Sequence, residues 1–174
     1  EFELTGFCNL KCRMCYVRED VRKHELNTQE WLNIFNDAVK EGMLFALLTG
    51  GEIFTRNDFE VLYNYLYDLG VRITLFTNGA LINEKTIQIL TKRPPEYVAV
   101  SLYGASNDVY ERVTGVNNGF TAVNKGIDLL IQNNINLTLR TIPIKIIYDD
   151  LDNIINYAKS KNLFMGYSLY VGPR

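Results

Sequence analysis

The sequence predicts an α/β fold, a single domain in which parallel strands alternate with helices. Short β-like runs alternate with amphipathic helical patterns along nearly the whole chain. Such alternation implies parallel strands that are joined by right-handed crossovers, with helices covering the sheet. The chain of 174 residues, with 47% hydrophobic and 12% aromatic residues, is also long and apolar enough to bury one core.

The first strand and helix are followed directly by a second strand. Residues 2–5 form the first predicted strand. Asn27, followed three residues later by Glu30, is typical of a capping box, so a helix is predicted to begin there and to end at Gly42. The apolar run 43–48 is predicted to be a buried strand. The same order of signals then repeats along the chain.

The later units are bounded by glycine and proline. Asn57 opens a second helix that ends at Gly70, and a third helix stops before Pro94 and Pro95, because proline cannot continue a helix. The predicted helices cover residues 27–42, 57–70, 83–91, 121–132 and 151–159, with a short helical turn at 108–113. The predicted strands, six in number, cover residues 2–5, 43–48, 71–76, 97–102, 137–142 and 163–169.

Four polar or cysteine-containing segments follow the first four predicted strands. Six strands are too few for a closed eight-stranded barrel, which leaves a partial barrel or an open doubly wound sheet. In both architectures ligands bind at the carboxyl ends of the strands. The segments that lie there are residues 8–15, 49–52, 77–79 and 101–104. The sequence therefore predicts a binding site on one rim of the sheet.

Cys8, Cys12 and Cys15 are the only cysteines of the chain. Three clustered thiolates suit a metal or an iron-sulfur cluster and leave one coordination position open, where chemistry is possible. Their odd number and close spacing argue against a disulfide framework. The alternative is a structural zinc site without a catalytic role, in which His24 is the candidate fourth ligand.

Composition excludes several classes of partner. The net charge is −2, and lysine and arginine are scattered among acidic residues, so no basic stripe indicates a nucleic-acid partner. No apolar stretch approaches the roughly 20 residues that a membrane span needs, and the first residues do not resemble a signal peptide. We therefore expect a cytoplasmic protein that binds neither nucleic acid nor membrane.

The cysteine spacing, together with Gly50, Gly51 and Glu52 after the second strand, resembles the radical S-adenosylmethionine (radical SAM) enzymes. The resemblance covers essentially the whole chain and implies a six-stranded partial (βα)6 barrel of the TIM type. It implies that the three cysteines bind a [4Fe-4S] cluster and that S-adenosylmethionine chelates the fourth iron. Reductive cleavage would then give a 5′-deoxyadenosyl radical that abstracts a substrate hydrogen, with a flavodoxin-like or ferredoxin-like protein as electron donor.

The resemblance also implies contacts with S-adenosylmethionine. Gly50 and Gly51 let the backbone approach the ligand, and Glu52 offers a carboxylate to the methionine ammonium. Ile53 stands where the family usually has proline. Met14 replaces an aromatic residue that borders the adenine, and its thioether can still pack against a ring. No catalytic side chain is expected beyond the cluster ligands.

Thr77, Asn78, Ser101 and Arg140 complete the predicted cofactor site. The resemblance places the first two beside the nucleoside and has the serine contact S-adenosylmethionine. An ordinary turn and a backbone hydrogen bond are the structural alternatives for these three residues. Arg140 lies in an apolar strand, where a buried guanidinium needs an anionic partner. The methionine carboxylate and an acidic side chain such as Glu52 are the two candidates.

Residues 101–106 and 110–115 resemble a segment of radical SAM enzymes that carry a C-terminal SPASM or twitch extension. Those enzymes generally modify ribosomal peptides or proteins, so a peptide or protein substrate is implied. Their extensions hold auxiliary clusters through further cysteines, and none follows Cys15. We therefore expect residues 1–174 to be a core domain without the C-terminal auxiliary-cluster and substrate region. The alternatives are a non-catalytic iron-sulfur or zinc-binding module and a truncated core that binds its cofactor without turnover.

Overall fold

Six parallel strands form one sheet in the computed structural model, which describes residues 1–17 and 25–168. The strands are β1 (Phe2–Thr5), β2 (Phe45–Gly50), β3 (Arg72–Thr77), β4 (Tyr97–Ser101), β5 (Leu137–Thr141) and β6 (Met165–Tyr167). They lie side by side in chain order, each parallel to the next. A doubly wound sheet reverses its strand order at a switch point, whereas a barrel keeps the chain order. The predicted partial barrel is therefore confirmed.

A row of paired apolar residues across the middle of the sheet distinguishes one face of the sheet from the other. Leu48 of β2 pairs with Leu75 of β3, which pairs with Val98 of β4, and Val98 pairs with Leu137 of β5. All four side chains are buried. Because side chains alternate across a strand, the neighbouring residues of each strand point to the opposite, inner face.

Six α-helices are found in the described residues, together with two short 3-10 helices at Ile53–Thr55 and Lys145–Asp150. None of these helices is long and apolar enough to cross a membrane. The α-helices are α1 (Thr28–Lys40), α2 (Phe59–Asp68), α3 (Glu84–Lys92), α4 (Asn107–Thr114), α5 (Gly119–Gln132) and α6 (Leu151–Ser160).

The predicted helical turn at 108–113 is a complete two-turn helix, α4, which raises the number of α-helices from the predicted five to six. The Ser106 side chain caps its start by accepting a hydrogen bond from the Val109 N–H, 3.3 Å away. Gly115 ends it in the left-handed conformation, with φ of 69°. Buried apolar side chains on one face of α4 pack against the core. The eight residues of α4 are enough for two helical turns.

The other element bounds agree with the sequence predictions to within two residues. The capping box of α1 is present, since the Asn27 side chain accepts from the Glu30 N–H and the Glu30 side chain accepts from the Asn27 N–H. β2 is shifted two residues along the chain, because its last residues pair with β1, Thr49 with Glu3 and Gly50 with Thr5. The predicted end of the sixth strand, residue 169, lies outside the described residues.

Candidate cofactor site

A cavity of about 370 Å³ lies at the carboxyl ends of the strands. Its wall contains ten of the eleven residues that the sequence predicts for the site, and Glu52 is the exception. The ten are Cys8, Cys12, Met14, Cys15, Gly50, Gly51, Thr77, Asn78, Ser101 and Arg140. The cysteine loop, β2, β3, β4 and β5 thus all contribute to one wall, as the rim argument predicts.

The cysteine loop is tied to the end of α4 by its backbone. The Lys11 N–H donates to the Thr114 carbonyl at 2.8 Å, and the Arg13 N–H donates to the Val113 carbonyl at 3.0 Å. Cys12 therefore lies between two backbone hydrogen bonds that join the loop to the end of α4. The sequence offered no signal for this pairing, because about 100 residues separate the two partners in the chain.

All three thiols are half-buried and close enough to affect one another electrostatically. Burial, and then the neighbouring charges of Cys8 and Cys15, raises the pKa of Cys12 to about 12. Burial likewise raises the pKa of Cys8. The Cys8 and Cys12 thiols therefore stay protonated at neutral pH until a metal displaces their protons. In residues 1–17 and 25–168 no three His, Cys, Asp or Glu side chains converge on one ion-sized point, and His24 lies outside these ranges.

Gly50 and Gly51 bring the end of β2 against the chain that leads into Cys8. The Gly51 N–H donates to the Thr5 carbonyl at 2.6 Å, and the Glu52 N–H donates to the Phe7 carbonyl at 2.8 Å. A Cβ at Gly51 would clash with the Phe7 carbonyl oxygen and would lie 2.7 Å from the Phe7 carbonyl carbon. The two glycines line the cavity, but the close approach that requires them is to the backbone of residues 4–7.

The Glu52 carboxylate is buried behind the cavity wall and accepts three hydrogen bonds from the protein. It accepts hydrogen bonds from the Thr77 hydroxyl at 2.7 Å, the Asn78 N–H at 2.7 Å and the Phe54 N–H at 3.2 Å. Only 1% of Glu52 is exposed. The carboxylate therefore joins the end of β2 to the end of β3. Its predicted contact with a ligand ammonium stays a prediction.

The burial of Glu52 predicts a pH-dependent stability. Burial raises the pKa of Glu52 to about 7, while its three hydrogen bonds act in the opposite direction. A carboxyl with a raised pKa contributes stability that is fully present below about pH 4.5 and is lost as the pH rises through about 7. Relative to Glu52→Gln, which cannot titrate, the wild type should lose about 2–3 kcal/mol of unfolding free energy between pH 5 and pH 8. Urea unfolding of both proteins measures this difference, and parallel pH profiles would contradict it.

Arg140 presents a cation to the cavity. Its guanidinium lies 4.5 Å from the centre of the Phe76 ring, and it pairs in register with Ser101 of the adjacent strand. No carboxylate of the described residues forms an ion pair with Arg140. Glu52, one of the two anionic partners considered from the sequence, is bonded elsewhere. As far as the described part of the chain is concerned, the guanidinium has no acidic partner and lines the cavity where an anionic ligand could reach it.

Several residues of this site are not singled out by the sequence prediction, among them Phe76, Tyr103 and Asn9. Phe76 and Tyr103 line the cavity, and the Asn9 side chain accepts a hydrogen bond from the Asn78 amide at 2.8 Å. Burial and the nearby charge of Cys12 raise the pKa of Tyr103 to about 12, so its phenol is protonated at neutral pH. Strand alternation could have identified Phe76, because it is one residue from the buried Leu75 and so faces the inner side.

The chemistry of this wall fits both predicted cofactors. Three soft sulfur donors on one short loop suit iron, and they leave one position of a four-iron cluster unligated. Across the same cavity, Arg140 and the Ser101 hydroxyl offer a cation and a hydrogen-bonding group to a carboxylate. The residues therefore match a cluster and a charged, carboxylate-bearing ligand side by side.

Comparison with known families agrees with this reading. The sequence model of the radical SAM superfamily matches residues 2–158, which is most of the chain. The chain belongs to the radical SAM superfamily. The predicted [4Fe-4S] cluster and S-adenosylmethionine are thereby confirmed as the cofactors of its family, and solved radical SAM neighbours include SuiB bound to S-adenosylmethionine.

The relatives of this chain differ in activity. An AdoMet-dependent heme synthase of Methanosarcina barkeri is 28% identical over 99% of this chain and 50% of its own length. A PqqA peptide cyclase of Ruegeria pomeroyi is 28% identical over 90% of this chain and 42% of its own length. The chain spans half of these relatives or less, so their activities do not transfer directly.

The fold also matches a solved peptide-binding relative. The crystal structure of Streptococcus suis SuiB bound to the precursor peptide SuiA has a TM-score of 0.80 and 21% identity, over 95% of this chain and 38% of SuiB. At this identity the match shows the fold alone. The radical SAM architecture of the chain is thus supported independently by sequence and by three-dimensional structure.

Proposed function

We propose that residues 1–174 form the core domain of a radical SAM enzyme that modifies a peptide or protein. One observation carries the proposal: three thiols and an arginine that pairs with no acidic residue of ranges 1–17 and 25–168 line the same cavity at the carboxyl ends of the strands. A structural metal site needs the thiols but has no use for a cation that faces them. A site for a cluster and S-adenosylmethionine uses both.

In this proposal each group of cavity-lining residues has a separate role. Cys8, Cys12 and Cys15 hold the cluster, and Arg140 and Ser101 bind the methionine carboxylate. When bound, the cluster and S-adenosylmethionine supply the reductive cleavage and the radical that abstracts a substrate hydrogen. The protein orients the ligand within the cavity. A one-electron donor of the flavodoxin or ferredoxin type is the proposed physiological reductant.

The substrate class is taken from the relatives. They include PqqA peptide cyclase and the subtilosin biosynthesis protein AlbA, and SuiB was solved with its precursor peptide. These names favour a peptide. Heme synthases are also among the relatives, so a tetrapyrrole is the competing substrate in the test.

Anaerobic reconstitution with iron and sulfide tests the core of the proposal. The expected product is a brown protein with roughly four irons per chain, whose reduced cluster changes its electron paramagnetic resonance spectrum when S-adenosylmethionine is added. Dithionite should then yield 5′-deoxyadenosine, and a peptide substrate should increase this yield. A colourless zinc protein or an unchanged spectrum would refute the proposal. Stimulation by a tetrapyrrole and not by peptides would refute the substrate class.

Arg140→Ala should weaken S-adenosylmethionine binding about 30-fold, because a charge-assisted hydrogen bond contributes roughly 2 kcal/mol. Arg140→Lys keeps the charge and should lose less. Lys145→Ala removes an exposed cation just beyond β5 and serves as the matched control. Anaerobic titration calorimetry on the reconstituted proteins measures all three affinities. Equal affinities for Arg140→Ala and the wild type would show that Arg140 does not bind S-adenosylmethionine.

A further inference from the structure

The side-chain amide of Asn78 has a fixed orientation at the end of β3. Asn78 is more than nine-tenths buried. Its backbone N–H donates to the Glu52 carboxylate at 2.7 Å, and its side-chain oxygen accepts from the Ala80 N–H at 3.0 Å. Because the oxygen is held by Ala80, the amide cannot turn over without losing a hydrogen bond. The Nδ2 group must therefore point away from Ala80, toward the cysteine loop.

The Nδ2 group of Asn78 meets that loop at its first cysteine. It donates to the Asn9 side-chain oxygen at 2.8 Å and to the Cys8 sulfur at 3.7 Å, within hydrogen-bonding range for sulfur. The Leu10 N–H is a second donor to the same sulfur, at 3.4 Å. The Cys8 sulfur is thus approached by two N–H groups, one of which comes from the residue after β3, 70 residues away in the chain.

We propose that Asn78 is a positioning residue that donates an N–H···S hydrogen bond to Cys8 and thereby raises the reduction potential of the cluster. This inference rests on the function proposed above. Reduction adds one electron, supplied by the external donor, and makes the cluster sulfurs more negative, with no bond formed or broken. A hydrogen-bond donor at a ligand sulfur stabilises that reduced state more than the oxidised state.

Glu52 supports Asn78 in this arrangement. Its buried carboxylate holds the backbone of Asn78 and the hydroxyl of Thr77, so the turn after β3 cannot move away from the cysteine loop. Glu52 also donates its own backbone N–H to the carbonyl of Phe7, the residue before Cys8. Glu52 therefore fixes both the donor and the acceptor of the proposed N–H···S bond. This gives the glutamate a task without direct contact with a ligand.

A redox titration of the reconstituted chain, followed by electron paramagnetic resonance without S-adenosylmethionine, tests the proposal. At the potential that half-reduces the wild-type cluster, the ratio of reduced to oxidised cluster in Asn78→Ala should be about tenfold lower, which corresponds to a reduction potential about 59 mV lower for a one-electron couple. Asn78→Asp keeps the size of the side chain but replaces the donor with a negative charge, so its potential should fall further. Asn136→Ala removes an exposed asparagine amide that donates to the Glu96 carbonyl and should leave the potential unchanged.

Several results would overturn the assignment. One is an unchanged potential in Asn78→Ala with a full complement of iron. Another is a fall in Asn78→Asp but not in Asn78→Ala, since charge alone would then account for it. Loss of iron binding in Asn78→Ala, with normal binding in Asn136→Ala, would assign Asn78 to loop shape instead of potential. Failure of the wild type to form a four-iron cluster would refute the proposed function itself, so the two failures are distinguishable.

Discussion

Cys12→Ala is expected to abolish assembly of the iron-sulfur cluster. The residue lies between the two other thiols in the chain, and the hydrogen bonds of Lys11 and Arg13 to α4 hold it at the cavity wall. With one thiolate removed, the chain has no other cysteine to replace it, and two ligands do not hold a four-iron cluster in an open cavity. Iron and sulfide analysis after anaerobic reconstitution should fall from roughly four irons per chain to background.

The matched control for Cys12→Ala is Met14→Leu. Met14 lines the same cavity in the same loop but offers no thiolate, and leucine has a similar volume. This control should bind iron as the wild type does. Both variants should show the same urea unfolding without iron, which separates a lost ligand from a lost fold. A Cys12→Ala protein that assembled a complete cluster would remove Cys12 from the ligand set.

The order of elements was predictable because each one carries a local signal. The capping box at Asn27 and Glu30 and the Pro94-Pro95 pair mark helix bounds within a few residues of sequence. Strand neighbours are not local, and periodicity alone left a partial barrel and a doubly wound sheet equally open. The family resemblance favoured the barrel, and the observed register of Leu48, Leu75 and Val98 established the consecutive order.

The rim position of the site residues was also predictable, because parallel strands bring their carboxyl ends together. Ser101 and Arg140, which are far apart in the chain, pair directly in the sheet. Glu52 shows the limit of this reasoning. It lies just past the end of β2, where strand alternation no longer sets side-chain direction, and its carboxylate turns inward to donors from β3.

The role of the two glycines was the least accessible from sequence. From sequence, Gly50 and Gly51 predict room for a ligand beside the backbone, which is one reason for glycine at such a position. The structure shows a second reason for glycine, which is that the β1 backbone passes close to Gly50. Gly50 also has a positive φ, 136°. No spacing rule indicates which backbone will pass close by, since that depends on how two strand ends meet in three dimensions.

Gly51→Ala is expected to lower the free energy of unfolding by about 3 kcal/mol or more and to impair iron binding. The added Cβ would clash with the Phe7 carbonyl oxygen and lie 2.7 Å from the carbonyl carbon. Both are backbone atoms, and the Thr5 and Phe7 carbonyls accept the hydrogen bonds that fasten this loop, so neither side yields without breaking them. Because Phe7 precedes Cys8, any shift that relieves the clash also moves the first thiol.

Gly166→Ala is the control for Gly51→Ala, since it makes the same substitution in β6 where there is room. Its added Cβ would meet no atom closer than 3.7 Å, an ordinary contact. The change in unfolding free energy should stay within about 1 kcal/mol, because alanine also restricts the unfolded chain. Urea unfolding of both metal-free proteins makes the comparison. If Gly51→Ala were as stable as Gly166→Ala and bound iron normally, the close packing of the Gly-Gly-Glu loop on β1 would not be what positions the cysteines.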